Sequence, residues 1–252
     1  MTTQPDIVEE AQRLTAAAAD EGVPVRLLGG LAIRLHADGA LPAALERDYQ
    51  DIDLVTHRKG GKAADAFLTR MGYEANERFN TMNAGSRMVF YDVPRDRHID
   101  VFIGDFEMCH KIAIADRLDL DPYTVPLAEL LLTKLQIVQL NRKDVLDIAA
   151  VLYGHDVAED DDEHVNAAFV AHLLAGDWGL WRTVRGSIET TRSMLPEFSL
   201  DDGDRSRVDE RLQRLWERIE QEPKSLRWRS RAKVGDRARW YQDPEEIAHG
   251  HD

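Results

Sequence analysis

The chain has 252 residues, of which 43% are hydrophobic and 31% charged, so a substantial core in one large or two small domains is expected. Its 46 acidic and 32 basic side chains give a net charge of −14, which disfavours non-specific nucleic-acid binding by the surface as a whole. No apolar run reaches the roughly 18 to 20 residues of a membrane helix. The N-terminal residues lack a signal-peptide pattern, and the single cysteine, Cys109, excludes an internal disulfide. These features predict a cytoplasmic protein without a membrane partner.

Hydrophobic spacing and turn residues divide the chain into a mixed first part and a helical second part. The strands predicted in the first part are residues 23–28, 51–56, 86–91 and 98–103. The helices predicted there are residues 6–19, 31–37 and 62–71, with a loop at 39–42. After Pro126, the predicted helices are residues 127–140, 144–153, 165–174, 178–192 and 205–221, with an acidic loop at 154–164. The sequence therefore predicts an α+β fold with a mixed sheet flanked by helices and a helical C-terminal half, divided into 1–125, 126–222 and a tail, 223–252.

Three carboxylates lie on two of the predicted strands. Asp51 and Asp53 are two residues apart on one strand, so both point to the same face. Asp100 is embedded in an otherwise apolar strand, where a lone acid is costly unless it meets a cation. If the strands are neighbours, the three acids suit a site for two Mg²⁺ ions, because adjacent carboxylates repel each other without a cation. The alternatives are a chance Asp-x-Asp in an acidic chain and an ion pair of Asp100 with Arg97 or Arg87.

A glycine pair, Gly29 and Gly30, joins the first predicted strand to the following helix. Glycines allow the backbone to approach a phosphate closely, and a helix N-terminus offers unpaired N–H groups. The pair is therefore a candidate phosphate-binding element, and its alternative is a tight corner without a ligand.

This order of parts resembles the polymerase-β-like nucleotidyltransferase superfamily over roughly residues 23–105. The superfamily pattern is an apolar strand, a Gly-Gly or Gly-Ser pair opening a helix, an Asp-x-Asp motif and a third acid on a later strand. The resemblance implies transfer of a nucleoside monophosphate from an NTP, with two Mg²⁺ ions held by Asp51, Asp53 and Asp100. In that scheme Asp51 and Asp53 bind both ions, and Asp100 completes one site and helps to deprotonate the attacking hydroxyl.

Two charged residues of the helical part lie among apolar neighbours. Lys134 falls on the apolar face of its predicted helix, where it either reaches a triphosphate or extends to water at the rim. Asp147 lies among aliphatic residues and needs a partner, for which Lys134 is the candidate. Asp144 is predicted to be the N-cap of its helix.

The segment around Lys134 and Asp147 resembles the second half of the AbiEii-type nucleotidyltransferases, which include toxins of type IV toxin–antitoxin pairs. Some of these toxins modify tRNA acceptor ends. The resemblance implies that Lys134 and Asp147 complete the active site, and it makes tRNA a candidate acceptor and a cognate antitoxin a candidate partner.

The segment before the first carboxylates extends this resemblance. Residues 47–53, Arg-Asp-Tyr-Gln-Asp-Ile-Asp, are similar to the group's Arg-x-Ser/Thr-x-Asp-Ile-Asp, with Tyr49 where a small hydroxyl is usual. Arg47 either contacts the nucleotide phosphates or pairs with Glu46 or Asp48.

A basic region with tryptophans follows the acidic body. Residues 205–240 contain twelve Lys or Arg and six acidic residues, together with Trp216, Trp228 and Trp240. Cations that alternate with indoles suit RNA, because phosphates and bases are bound by those two groups. The alternatives are an intramolecular arm on the acidic body and an amphipathic helix packed through Val208, Leu212, Leu215 and Ile219.

The sequence leaves three functions open. The first is a nucleotidyltransferase with a macromolecular acceptor such as tRNA. The second is the same chemistry on a small hydroxylated molecule of the antibiotic type. The third is a nucleotide-binding or partner-binding protein without turnover, and the presence of all three carboxylates argues against it.

Overall fold

The computed structural model describes residues 3–37 and 41–243, so half of the predicted loop at 39–42 and the end of the predicted tail lie outside the described residues. The first part of the chain forms a five-stranded mixed sheet whose order in space is β1-β2-β5-β4-β3. Its strands are β1 (Val25–Leu28), β2 (Asp51–Thr56), β3 (Glu74–Ala75), β4 (Arg87–Asp92) and β5 (Arg97–Ile103). Strands β2 and β5 are parallel, and the other neighbouring pairs are antiparallel. All four predicted strands are present, and β3 is an addition that the sequence did not indicate.

Helices accompany the sheet and then make up most of the second half. Those of the first part are α1 (Ile7–Asp20), α2 (Gly29–His36), α3 (Gly61–Met71) and α4 (Glu77–Met82). Those of the second part are α5 (Leu127–Leu135), α6 (Arg142–Gly154), α7 (Ala167–Gly176), α8 (Trp178–Met194), α9 (Asp202–Gln221) and α10 (Leu226–Val234). Two short strand pairs are also present: β6 (Phe106–Glu107) with the antiparallel β7 (Lys111–Ile112), and β8 (Val157–Ala158) with the parallel β9 (Val165–Asn166). The predicted α+β class is confirmed, and no helix in the described ranges is long and apolar enough to cross a membrane.

Helix α5 ends earlier and helix α6 begins earlier than predicted. The helix predicted to reach residue 140 ends at Leu135, and the side chain of the C-cap residue, Gln136, is buried, accepting from the His110 N–H and donating to the Thr133 carbonyl. Asp144 is not the N-cap of α6, since Asn141 occupies that position and accepts a hydrogen bond from the Asp144 N–H. The Asp144 carboxylate accepts from the Asn141 N–H in return, which completes a capping box and starts the helix two residues earlier than predicted.

A continuous apolar core joins the sheet to the helices, from Ala11 in α1 to Ile219 in α9. The predicted amphipathic face of α9 is fully buried within it; its members are Val208, Leu212, Leu215 and Ile219. The division of the chain at residue 125 stays a prediction.

A buried acid in α5 makes the stability of the fold depend on pH. Burial raises the pKa of Glu129 from 4.5 to about 7, against the opposing effect of Arg117. Because the folded protein binds this proton more tightly than the unfolded chain, stability falls as pH rises from about 4.5 to 7 and stays lower above that. We expect Glu129→Gln to be about 2 kcal/mol more stable than the wild type at pH 8 and nearly equal at pH 4.5. Urea unfolding at both pH values measures this, and an equal difference at both would contradict it.

Candidate active site

The sheet brings two of the predicted carboxylates side by side. Asp53 on β2 is paired in register with Asp100 on the parallel strand β5, so their side chains share one face. Burial raises the pKa of Asp53 to about 7, the charge of Asp100 adds to this effect, and Lys134 opposes it. Asp51 lies two residues earlier on the same face, at the exposed end of β2. The predicted neighbourhood of the two strands is therefore confirmed, while the roles of the three acids stay predictions.

Asp100 is paired with an arginine of the next strand. Arg87 on β4 donates from Nε to Oδ1 at 2.7 Å and from Nη2 to Oδ2 at 2.8 Å. Arg97, the other partner considered, lies near Asp92 instead, at 3.6 Å, and bonds to the Pro5 carbonyl. One of the two alternative ion pairs is thus present, and it occupies one side of each Asp100 oxygen.

The glycine pair gives two side chains room to approach α2. Gly29 and Gly30 are the first two residues of that helix, which begins two residues before its predicted start. Gly29 has a φ of +71°, and a side-chain carbon added there would lie 2.2 Å from Oδ2 of Asp53. At Gly30 the added carbon would lie 1.9 Å from Nη2 of Arg47 and 3.1 Å from the ring of Tyr49. The glycines therefore let a carboxylate and a guanidinium contact the start of the helix, and phosphate binding at this place stays a prediction.

We expect Gly30→Ala to destabilise the protein by about 1–3 kcal/mol, because the added methyl group displaces Arg47 from its position. Gly154→Ala is the matched control, since nothing lies within 4 Å of its added carbon. Alanine is also the better helix former at that position. Thermal unfolding of the two variants measures the difference, and equal melting temperatures would contradict the proposed steric role of Gly30.

Two cations converge on Asp147, which joins the helical part to the loop before β2. Lys134 Nζ lies 2.8 Å from its Oδ2, as predicted. Arg47 donates from Nε to Oδ1 at 2.7 Å and from Nη2 to Oδ2 at 2.9 Å. The predicted pairing of Arg47 with the carboxylate of Glu46 or Asp48 is wrong, because its guanidinium reaches across the chain to α6 and meets only the backbone carbonyl of Asp48.

This ion cluster is enclosed and fully charged. The Lys134 side chain is 16% exposed, so it is not a rim lysine extending to water. Burial lowers the pKa of Lys134, but Asp147 and Asp144 outweigh it and leave the pKa above its usual value. Burial likewise raises the pKa of Asp147, and Lys134 and Arg47 reverse the effect. The guanidinium of Arg47 also lies 4.3 Å above the Tyr49 ring, which gives this aromatic residue a function at a position where the resemblance predicts a small hydroxyl.

The carboxylates fit a divalent cation that a substrate helps to hold. Within residues 3–37 and 41–243, no three His, Cys, Asp or Glu side chains are placed to hold a metal ion by themselves. Mg²⁺, however, is commonly held by one or two carboxylates together with substrate phosphates. Asp53 and Asp100 supply two carboxylates. The pKa of Asp53 is raised first by burial and then by the charge of Asp100, and a bound cation would favour the ionised form. A role for Asp51 as a third ligand stays a prediction.

The tail packs on the helical part of the protein. The ring of Trp228 lies 5.1 Å from that of Trp181, and Trp240 lies 6.0 Å from Trp178. Trp216 also contacts Trp181, at 5.8 Å. The intramolecular interpretation is thus confirmed for the described part of the tail, and stacking of these indoles on RNA bases loses its support. Several tail cations remain exposed, namely Arg227, Arg229, Lys233 and Arg237.

The fold and the paired carboxylates agree with the comparison to known families. Residues 4–122 match the model of a family described as an uncharacterised nucleotidyltransferase. The match includes Asp53 and Asp100 and ends before Lys134 and Asp147. It supports a nucleotidyltransferase superfamily for this part of the chain and nucleotidyl transfer as its general activity. No curated protein matches the chain.

Proposed function

We propose that this protein is a Mg²⁺-dependent nucleotidyltransferase that moves a nucleoside monophosphate from an NTP to a hydroxyl acceptor. The observation that carries the proposal is the register pairing of Asp53 with Asp100 beside Gly29. The family match supports the reaction class. When bound, the cation neutralises charge on the triphosphate and on the leaving pyrophosphate.

The residues around the carboxylates suit a triphosphate. The start of α2 offers backbone N–H groups and the positive end of the helix dipole, with no side-chain cap to occupy them. Lys134 Nζ lies 2.8 Å from Oδ2 of Asp147, and its charge also opposes the raised pKa of Asp53. We assign the phosphates to this region, where Lys134, Arg47 and the helix start supply positive charge.

The reaction is a substitution at the α-phosphorus. The hydroxyl oxygen of the acceptor forms a bond to that phosphorus, and the bond to the β-phosphate oxygen breaks, which releases pyrophosphate. We assign the hydroxyl proton to Asp100, whose side chain is 19% exposed and therefore accessible to an acceptor. Transfers of this kind depend mainly on positioning and charge neutralisation, and the preassembled cluster provides both.

The acceptor we propose is RNA, because the AbiEii-type resemblance makes tRNA the candidate. As a separate partner, the same resemblance suggests a cognate antitoxin. Exposed arginines and lysines of the tail support the RNA acceptor, because they can meet phosphates without the indoles. A small cationic hydroxylated molecule is the second candidate, and the net charge of −14 favours it.

A labelling experiment tests the reaction class and the acceptor together. The protein is incubated with Mg²⁺, each α-³²P-labelled NTP in turn, and a cell extract depleted of small molecules that contains total RNA. Label in RNA supports the first acceptor, and label that appears only after the small-molecule fraction is restored supports the second. Asp53→Asn is the inactive variant, and Asp65→Ala, an exposed acid on α3, is the matched control. NTP binding without label in any fraction would contradict the proposal and favour a non-catalytic protein.

We expect Lys134→Met to weaken NTP binding by about tenfold to a hundredfold, because it removes a buried cation next to the proposed phosphate site. The methionine preserves the length of the side chain and most of its packing. Titration of a fluorescent NTP analogue measures the dissociation constant, with Lys224→Met, in the segment between α9 and α10, as a control. Unchanged affinity in the Lys134 variant would exclude it from phosphate binding.

A further inference from the structure

Arg87 holds the carboxylate that the proposed cation must share. Both nitrogens of its fork bind Asp100, and the guanidinium lies 4.9 Å over the ring of Phe102. The two side chains of the ion pair are 21% and 19% exposed, so the pair is screened by solvent only in part. A two-point arginine–carboxylate contact is among the stronger and geometrically more specific hydrogen-bonded pairs.

Asp53, the neighbour of Asp100, has a different environment. The pKa of Asp53 is determined mainly by burial and by the charges of Asp100, Lys134 and Asp51. Arg87 has the smallest of the principal effects on this pKa. A cation held by Asp53 and Asp100 would therefore have to share Asp100 with Arg87, whereas Arg87 has only a small effect on Asp53. A guanidinium and a divalent cation on the same carboxylate repel each other, so binding of one weakens binding of the other.

Arg87 also has space into which it can move. It lines a cavity of about 320 Å³ together with the acids Asp105 and Glu107. Asp105 is already paired with Arg58 and Lys111, so a guanidinium that leaves Asp100 would turn toward Glu107. The arginine therefore has two favourable environments, one on the catalytic carboxylate and one beside it.

We propose that Arg87 is a positioning residue that competes with the divalent cation for Asp100, so that the cation binds weakly until a nucleotide supplies further ligands. The inference rests on the proposed function, because the cation is the one that nucleotidyl transfer requires. In the absence of the cation, Arg87 keeps Asp100 oriented and neutralised; in its presence, the fork opens toward the cavity. The site would thus be protected from filling with a cation before the NTP arrives.

Mn²⁺ binding to the full chain, without nucleotide or acceptor, tests this inference. Electron paramagnetic resonance measures free Mn²⁺ during a titration of the wild type, Arg87→Met and Arg87→Lys. We expect Arg87→Met to bind Mn²⁺ about tenfold more tightly than the wild type, because the competing guanidinium is gone, and Arg87→Lys to lie between them. A purely structural role for Arg87 would weaken binding or leave it unchanged, so the direction of the change is decisive.

Arg192→Met is the matched control. Arg192 also binds an aspartate with two nitrogens, to Asp209 at 2.6 and 3.0 Å, but it does not contact a site carboxylate. Its removal is expected to leave Mn²⁺ affinity unchanged. Equal or weaker Mn²⁺ binding in Arg87→Met, or no binding by any of the proteins, would overturn the inference. Tighter binding without transfer in the labelling experiment would leave the competition standing and remove the proposed function, and transfer without tighter binding would do the reverse.

Discussion

Asp53→Asn is expected to reduce nucleotidyl transfer by about a thousandfold or more while the protein remains folded. The amide keeps the shape of the side chain beside Gly29 but removes the charge that pairs with Asp100 around a cation. The measurement is the rate of label incorporation with saturating NTP and Mg²⁺, compared with the wild type and with Asp65→Ala. Transfer at the wild-type rate would exclude Asp53 from the site.

The same variant is expected to be more stable than the wild type without Mg²⁺ above pH 7. The pKa of Asp53 is raised from 3.8 to about 7, so the wild type loses stability as pH rises through that range and the asparagine does not. We expect a gain of about 1–2 kcal/mol at pH 8 and almost none at pH 4, since the side chain is partly buried. Saturating Mg²⁺ should reduce the gain by stabilising the wild type alone. Loss of activity together with loss of stability would instead indicate misfolding.

Asp147→Ala is expected to have the largest effect on stability, a loss of about 3–5 kcal/mol. Its carboxylate is almost fully buried and is the shared partner of Arg47 and Lys134. Its removal leaves two cations close together without their counter-ion, and the desolvation cost of both is no longer offset. Urea unfolding measures the change, and Asp147→Asn should lose less because the amide oxygen still accepts one hydrogen bond.

An exposed pair in the same half of the chain provides the control. Asp209 contacts Arg192 at 2.6 Å, but the two side chains are 39% and 41% exposed. Asp209→Ala is therefore expected to cost less than about 1 kcal/mol, as is usual for surface pairs. Similar losses in both variants would show that burial does not determine the strength of the Asp147 cluster.

Local patterns predicted most of the regular elements. The alternation in residues 51–56 defines β2, and Asp6 and Gly72 bound α1 and α3 through an N-cap and a left-handed residue. These features depend on only a few neighbouring residues, so they can be recognised in a single sequence. Strand β3 and helix α4 have no comparable pattern, because one is only two residues long and the other has no buried residue.

Long-range contacts account for the errors in the site. The sequence indicated that Asp147 needs a partner, and Lys134 is that partner. It did not indicate that Arg47, one hundred residues away, makes the closer two-point contact, because charge alone does not identify a partner across the fold. The unusual Tyr49, whose ring lies under Arg47, was the available signal.

The sequence alone determined the α+β class, the face shared by Asp51 and Asp53, and the apolar setting that makes Asp100 and Lys134 candidates for a site. These follow from the periods of strand and helix and from the cost of burying a charge. Only the tertiary structure showed that Arg87 forms an ion pair with Asp100 and that two glycines allow Asp53 and Arg47 to approach the start of α2. It also showed that Trp228 of the tail packs against Trp181 of the helical part. The reason is that many charged and aromatic residues of the chain could pair with one another on chemical grounds. Which pairs form depends on their distance in the folded protein, and this distance is set by strand register and helix packing, not by spacing along the sequence.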